Sequence, residues 1–79
     1  MTDSKLLKDL IHAKGLKLQY IAEYLGLTRY GLSLKINNVN EFKASEIRKL
    51  CQLLEISSLR LKEKIFYKEE SDLKSQERR

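Results

Sequence analysis

The sequence predicts an all-α fold, from its composition and from the spacing of its apolar residues. The 79-residue chain has no proline and only three glycines, so few residues interrupt helix formation. No stretch alternates apolar and polar residues for long, whereas apolar residues recur every three or four positions along most of the chain. A chain of this length forms one domain with a single small core. We expect that domain to span residues 1–70, and residues 71–79 to form a flexible charged tail.

Glycines end the first two predicted helices. The first helix is expected over about 4–14, with Ser4 as its N-cap and a left-handed stop at Gly15. The second helix is expected over about 18–25 and ends at Gly26. The small side chain of Ala22 lets another helix approach this one closely. The apolar faces at helical spacing consist of Leu6, Leu7, Leu10 and Ile11, and of Leu18, Ile21, Ala22 and Leu25.

A third helix is predicted directly after a short turn. Thr28 is its expected N-cap, the helix covers about 29–36, and Leu32 and Ile36 are its core contacts. The pair Asn37-Asn38 ends it, because asparagine tolerates the left-handed conformation better than most residues. The following loop is expected to be anchored in the core by Phe42.

Two further helices complete the prediction. The fourth begins at Ala44-Ser45 and continues to about residue 55, and the fifth is capped by Ser57-Ser58 and continues to about residue 67. The expected core residues are Ile47, Leu50, Cys51 and Leu54 in the fourth helix, and Leu61, Ile65 and Phe66 in the fifth. With Leu59 and Tyr67, the fifth helix has more apolar residues than one face needs, which predicts a homodimer contact.

Composition restricts the classes of function. The net charge of +5 favours a polyanionic partner, and the single cysteine, Cys51, excludes an internal disulfide and fits the cytoplasm. The polar N-terminus and the lack of a long apolar run predict neither a signal peptide nor a membrane span. His12 has no partners at ligand spacing, and no nucleophile–base pair is visible. We therefore expect a cytoplasmic protein that is not an enzyme, with no catalytic residues, metal, cofactor or small-molecule ligand.

The segment 18–38 is the most informative part of the chain. A helix with a central alanine is followed by Gly26-Leu27-Thr28 and a second short helix, which is the arrangement of a helix-turn-helix. The pattern Leu18-x-x-Ile21-Ala22-x-x-Leu25-Gly26-Leu27-Thr28-Arg29-x-x-Leu32-Ser33-x-Lys35-Ile36-Asn37 resembles the lambda repressor and Cro-like (XRE-type) regulators of bacteria and phages. The resemblance continues through Phe42, Glu46-Ile47 and Leu50, and covers about residues 6–54. It implies a five-helix lambda-repressor-like DNA-binding domain.

The resemblance also implies which residues contact double-stranded DNA. Base contacts are expected from the outer face of the third helix, at Arg29, Tyr30, Ser33 and Leu34. Phosphate contacts are expected from Lys17, Gln19, Thr28, Lys35, Asn37, Asn40 and Lys43. The chain departs from the family pattern at two positions. Leu18 stands where glutamine, a usual backbone contact, is common, and Asn38 stands where glycine often forms the tight turn.

The chemistry of these side chains fits the same function. An arginine can bind guanine O6 and N7 together, which contributes about 1–3 kcal/mol of discrimination. A serine can bind several bases, a tyrosine can bind sugar or phosphate, and a leucine can contact a thymine methyl. Between residues 14 and 43 there are five basic and two acidic residues, so more than half of the net charge lies in the predicted reading segment. We therefore expect a nucleoid-associated transcriptional regulator that acts as a homodimer, with repression as the expected effect.

Two other functions remain open at the level of sequence. Tyr30 and Leu34 could bind a partner protein, as in an anti-repressor-like accessory module on the same fold. Residues 57–70 could instead lie on an anionic membrane surface, but their lysine and arginine residues are nearly balanced by glutamates, which disfavours that role. Salt separates the first two functions, because DNA binding weakens steeply with salt and an apolar protein contact does not.

Overall fold

The computed structural model describes residues 1–68, and this part of the chain is entirely helical. Its five helices are α1 (Ser4–Ala13), α2 (Leu18–Leu25), α3 (Arg29–Ile36), α4 (Ala44–Leu53) and α5 (Leu59–Phe66). The all-α prediction is therefore confirmed over these residues, and the predicted bounds of α2 and α3 match those observed. The predicted charged tail, 71–79, lies outside the described residues. None of the helices in this part of the chain has the length and apolar character needed to cross a membrane.

One apolar core joins all five helices. Helix α1 contacts α3 and α5, and α2 contacts α3 and α4. Every buried hydrophobic residue comes from the helical faces that the sequence predicts, and most of these residues are branched aliphatic side chains. The buried set is Leu7, Ile11, Ile21, Ala22, Leu25, Leu32, Ile36, Ile47, Leu50, Cys51, Leu54, Ile65 and Phe66. The predicted core residues Leu6, Leu10, Leu18, Phe42 and Leu61 are only partly buried and lie at its edge.

A left-handed residue follows each of the first four helices. Gly15 (φ 69°) and Gly26 (φ 74°) follow α1 and α2, as predicted. Asn38 (φ 64°) follows α3, in agreement with the expected role of the asparagine pair. After α4 the left-handed residue is Glu55 (φ 58°), which sequence did not indicate. Helix α4 therefore ends at Leu53, two residues before the predicted end.

The N-cap of α1 is Asp3 and not Ser4, which corrects the prediction. The Asp3 carboxylate accepts the Leu6 N–H at 3.1 Å, and Ser4 is the first helical residue. The Ser4 hydroxyl is used elsewhere, because it donates to the Ile36 carbonyl at the end of α3 at 2.5 Å. Aspartate and serine can both cap a helix. Because the Ser4 hydroxyl is bonded to α3, Asp3 is the residue that caps α1.

The first residues of the chain also contact the end of α5. The Asp3 N–H donates to the Ile65 carbonyl at 2.6 Å, and the Asp3 carboxylate accepts from the Lys68 ammonium at 3.1 Å. Burial alone would raise the pKa of Asp3, but the hydrogen bonds from Leu6 and Lys68 outweigh it and lower the pKa. Residues 2–4 therefore connect the C-terminal ends of α3 and α5.

Helix α5 has a smaller apolar surplus than its sequence suggests. Ser58 caps it as predicted, by accepting the Leu61 N–H at 3.3 Å. Ile65 and Phe66 are both buried, and the Phe66 ring packs edge-to-face on Phe42 with centroids 5.7 Å apart. These two residues belong to the core of the monomer. Of the residues expected to form a dimer contact, Leu59 and Tyr67 are the ones that remain exposed.

Candidate nucleic-acid interface

Helices α2 and α3 are joined by a tight corner formed by residues 26–28. The left-handed Gly26 turns the chain, and the Leu27 N–H donates to the Ala22 carbonyl at 2.8 Å. The Leu27 side chain packs on the core, as expected for a residue that fills this corner. Thr28 then caps α3, because its hydroxyl oxygen accepts the Gly31 N–H at 3.0 Å. These contacts fix the direction in which α3 leaves the corner.

The outward face of α3 contains the predicted base-reading residues. Leu32 and Ile36 are buried and hold the inner face. On the outer face, the four-residue spacing places Arg29 and Ser33 in one row along the helix, and places Tyr30 and Leu34 in the next. Arg29 and Tyr30 are exposed, and Tyr30 retains 74% of its accessible surface, more than any other large hydrophobic residue described.

Ser33 and Leu34 are both half-buried, so they expose less surface than is expected of residues that contact bases. The chain folds back after α3, so that the N–H groups of Val39 and Asn40 donate to the Leu34 carbonyl at 2.8 and 3.2 Å. The accessible surface of this face is therefore largest at its N-terminal end, around Arg29 and Tyr30.

Most of the predicted phosphate-contacting residues lie on the surface. Lys17, Thr28 and Lys43 are the N-cap residues of α2, α3 and α4, and the N-terminus of a helix favours negative charge. All of the predicted set except Lys35 is exposed, namely Lys17, Gln19, Thr28, Asn37, Asn40 and Lys43. Gln19 is also engaged locally, since its amide donates to the Glu23 carboxylate at 3.2 Å.

Lys35 does not lie with the other predicted phosphate contacts. Its ammonium is 2.6 Å from the Glu46 carboxylate in an ion pair between α3 and α4, and the two side chains are only 12% and 9% exposed. The same carboxylate accepts the Lys43 N–H at 2.8 Å. Burial would raise the pKa of Glu46, but these hydrogen bonds lower it. The Lys35 ammonium is therefore engaged by Glu46. No local sequence pattern indicates this partner, which lies eleven residues away.

The predicted excess of positive charge in residues 14–43 is also partly balanced. Lys14 forms an ion pair with Glu55, and Lys35 with Glu46, so two carboxylates outside the segment compensate two of its five cations. Lys17, Arg29 and Lys43 take part in none of the ion pairs found within residues 1–68. The cations available to an anionic partner are therefore located at the starts of α2, α3 and α4.

Helix α1 contributes a lysine that the sequence did not indicate. The Lys8 ammonium donates to the side-chain oxygen of Asn37 at 3.0 Å, which brings a cation to the C-terminal end of α3. The two residues are 29 positions apart, so no spacing pattern could have paired them. Asn37 in turn donates from its side-chain nitrogen to the Ser33 carbonyl at 2.9 Å.

The other reactive side chains have ordinary surroundings. His12 is exposed on α1. Cys51 is buried, as predicted, and burial raises the pKa of its thiol, an effect that the nearby Lys62 ammonium only partly offsets. Over residues 1–68, no group of three or more histidine, cysteine, aspartate or glutamate side chains is arranged to hold a metal ion.

Comparison with known proteins gives no relative: no family model, no curated protein and no solved structure matches this chain.

Proposed function

We propose that this chain is a sequence-specific double-stranded DNA-binding transcriptional regulator, with repression as its effect, and that its fold is a lambda-repressor-like helix-turn-helix domain. The observation that carries the proposal is the exposed N-terminal half of α3. Arg29 and Tyr30 project there from a short helix whose inner face is held by Leu32 and Ile36. A rigid helix with an accessible arginine is suited to reading base edges.

The dimensions of α3 are compatible with the major groove. An α-helix with its side chains is about 10–12 Å in diameter, and the major groove is about 12 Å wide. With α3 lying in the major groove, Arg29 would bind a guanine and Ser33 a neighbouring base, while Tyr30 would contact sugar or phosphate. Leu34 would contact a thymine methyl through the part of its side chain that remains accessible. Phosphate contacts would come from Lys17, Gln19, Thr28, Asn37, Asn40 and Lys43, and we leave Lys35 out because Glu46 holds it.

The proposal is tested by selection from random duplexes, followed by binding titrations at two salt concentrations. We expect an enriched motif, steep salt dependence, and an Arg29→Ala variant that loses about 1–3 kcal/mol and relaxes specificity at one position. Arg48→Ala is the matched control, because Arg48 is an exposed arginine on α4 in a hollow formed by residues of α4, α5 and the turn between them. If no motif is enriched, or if Arg48→Ala weakens binding as much as Arg29→Ala, base reading by α3 is wrong.

We also propose that the regulator binds as a homodimer to two half-sites about 34 Å apart. The surface available for this contact on α5 comprises Leu59, which is 67% exposed, and Tyr67, which is 53% exposed. Sedimentation of the free protein and of its DNA complex, for the native chain and for Leu59→Glu, measures the association directly. A complex with one protein per operator would contradict the dimer.

A protein-interaction module on the same fold is the second candidate. The observation in its favour is the large exposed surface of Tyr30, together with the exposed Tyr20 and Tyr24 rings, whose centroids are 6.5 Å apart on α2. Such a surface binds through apolar contacts, and its affinity is insensitive to salt. The salt titration described above therefore separates this candidate from the regulator.

A further inference from the structure

Lys8 and Asn37 form a pair of side chains at the C-terminal end of α3. Both residues are exposed, and the Lys8 ammonium donates to the Asn37 side-chain oxygen at 3.0 Å. Lys8 takes part in none of the ion pairs among residues 1–68. The positive charge of Lys8 is therefore not balanced by a carboxylate in this part of the molecule.

The hydrogen bonds of this pair leave two ammonium donors of Lys8 free. Asn37 uses its oxygen to accept from Lys8 and its nitrogen to donate to the Ser33 carbonyl at 2.9 Å, and that nitrogen also lies 3.5 Å from the Ser33 hydroxyl oxygen. An ammonium has three N–H donors, so two donors on Lys8 stay available.

Two free N–H donors on one positive charge, with the Asn37 side-chain nitrogen beside them, are suited to a phosphate oxygen. Anionic acceptors form the stronger, charge-assisted class of hydrogen bond with such a site. The pair is adjacent to the outward face of α3, because Asn37 lies one helical turn beyond Ser33. A duplex contacted by that face would carry its backbone along the end of α3.

We propose that Lys8 and Asn37 together bind one DNA phosphate, which adds α1 to the surface that grips the duplex. This inference rests on the proposed DNA-binding function and deepens it, since it names a contact outside the helix-turn-helix. A cation near the C-terminus of a helix also stabilises that helix, because it interacts favourably with the helix dipole. The test must therefore measure DNA binding separately from stability.

The experiment compares Lys8→Gln with Lys5→Gln by titrating the selected duplex and a scrambled duplex between 50 and 200 mM salt. Lys5 is the matched control, because it lies on the same helix, is 86% exposed and is paired with Asp9. Both variants remove one positive charge from α1. We expect Lys8→Gln to lower the slope of log K against log salt by about 0.9, so that its loss of affinity is about 3-fold larger at 50 mM than at 200 mM.

Further results would support or overturn the inference. Equal losses on the two duplexes and recovery of the native slope by Lys8→Arg support it, because a phosphate contact carries no sequence information. A native slope in Lys8→Gln, or the same reduction in Lys5→Gln, overturns it. A loss confined to one base position also overturns it, since Lys8 would then act through Asn37 on Ser33. If the native chain shows no salt-dependent duplex binding and Arg29→Ala changes nothing, the proposed function fails, and this inference with it.

Discussion

The side-chain amide of Asn38 pairs with both backbone groups of Thr2. The Thr2 N–H donates to the Asn38 oxygen at 2.8 Å, and the Asn38 nitrogen donates to the Thr2 carbonyl at 2.8 Å. Thr2 is buried, so its backbone groups could not be fully compensated by water if this partner were lost. One residue thus ends α3 in the left-handed conformation and holds the start of the chain against that end.

Replacement of Asn38 separates these two roles. Asn38→Gly keeps the left-handed backbone but loses the two hydrogen bonds to Thr2 and a longer one to the Ser4 hydroxyl at 3.4 Å, for which we expect a loss of about 1–2 kcal/mol in the free energy of unfolding. Asn38→Ala loses the same bonds and adds the strain of a left-handed alanine, so its loss should be about 1 kcal/mol larger. Urea denaturation measures both. A glycine variant as stable as the native chain would show that the pairing with Thr2 contributes nothing.

Loss of either charge of the ion pair between Lys35 and Glu46 should lower the free energy of unfolding strongly, because the other charge would stay buried. In Lys35→Met the Glu46 carboxylate remains buried without its cation, and we expect a loss of about 3 kcal/mol. The double variant Lys35→Met/Glu46→Gln should recover part of this loss, because the amide oxygen can still accept the Lys43 N–H. Chemical denaturation of the two variants measures the difference. A single variant no less stable than the double one would contradict this account.

The stability of the domain should fall in acid. Asp3 and Glu46 have a lower pKa in the folded state than their ordinary values of 3.8 and 4.5. The folded state therefore favours the ionised carboxylates, and this stability is present above the ordinary values and lost as the pH falls through the folded values.

We expect the urea midpoint to be constant from neutral pH to about pH 5 and then to decrease. Glu46→Gln should be less stable than the native chain at neutral pH and should show a shallower decrease in acid. Glu63→Gln, a change of an exposed residue on α5, serves as the control and should keep the native profile. An acid profile in Glu46→Gln that is parallel to the native one would exclude Glu46 as a source of the pH dependence.

The corner between α2 and α3 depends on the backbone of Gly26. A Cβ atom at this position would have no atom within 4 Å, so the cost of a substitution comes only from the φ angle of 74°. We expect Gly26→Ala to lose about 1 kcal/mol and Gly26→Asn to lose less, because asparagine tolerates the left-handed region. Thermal unfolding of both variants tests this ranking. Equal losses would mean that the corner is sensitive to side-chain size instead.

The helices and core could be predicted from sequence because their determinants are local. The spacing of Ile21, Ala22 and Leu25 defines a buried face without reference to the rest of the chain, and Gly26 and Thr28 mark the ends of α2 and α3 through their own backbone and side-chain preferences. The expected bounds of both helices, about 18–25 and about 29–36, accordingly agree with those observed.

The contacts between distant charged and polar residues could not be predicted in the same way. Nothing near Lys35 indicates that Glu46 will remove it from the surface, and nothing near Lys8 indicates that it will meet Asn37. The N-cap of α1 is Asp3 and not Ser4 for the same reason, because the Ser4 hydroxyl donates to the Ile36 carbonyl, 32 residues away in sequence. Which polar side chains of the candidate site are free is thus a property of the tertiary structure.

In helix α3, the residues that pack on the core and the residues that form the exposed surface are two separate sets. Leu32 and Ile36 anchor it, whereas Arg29 and Tyr30 are exposed and support no part of the core. Thr28 and Asn38 secure its two ends from outside the helix. The exposed positions are therefore free to diverge or to be redesigned without loss of foldedness, so that substitutions at Arg29 and Tyr30 change the chemistry of this surface while the domain keeps its fold.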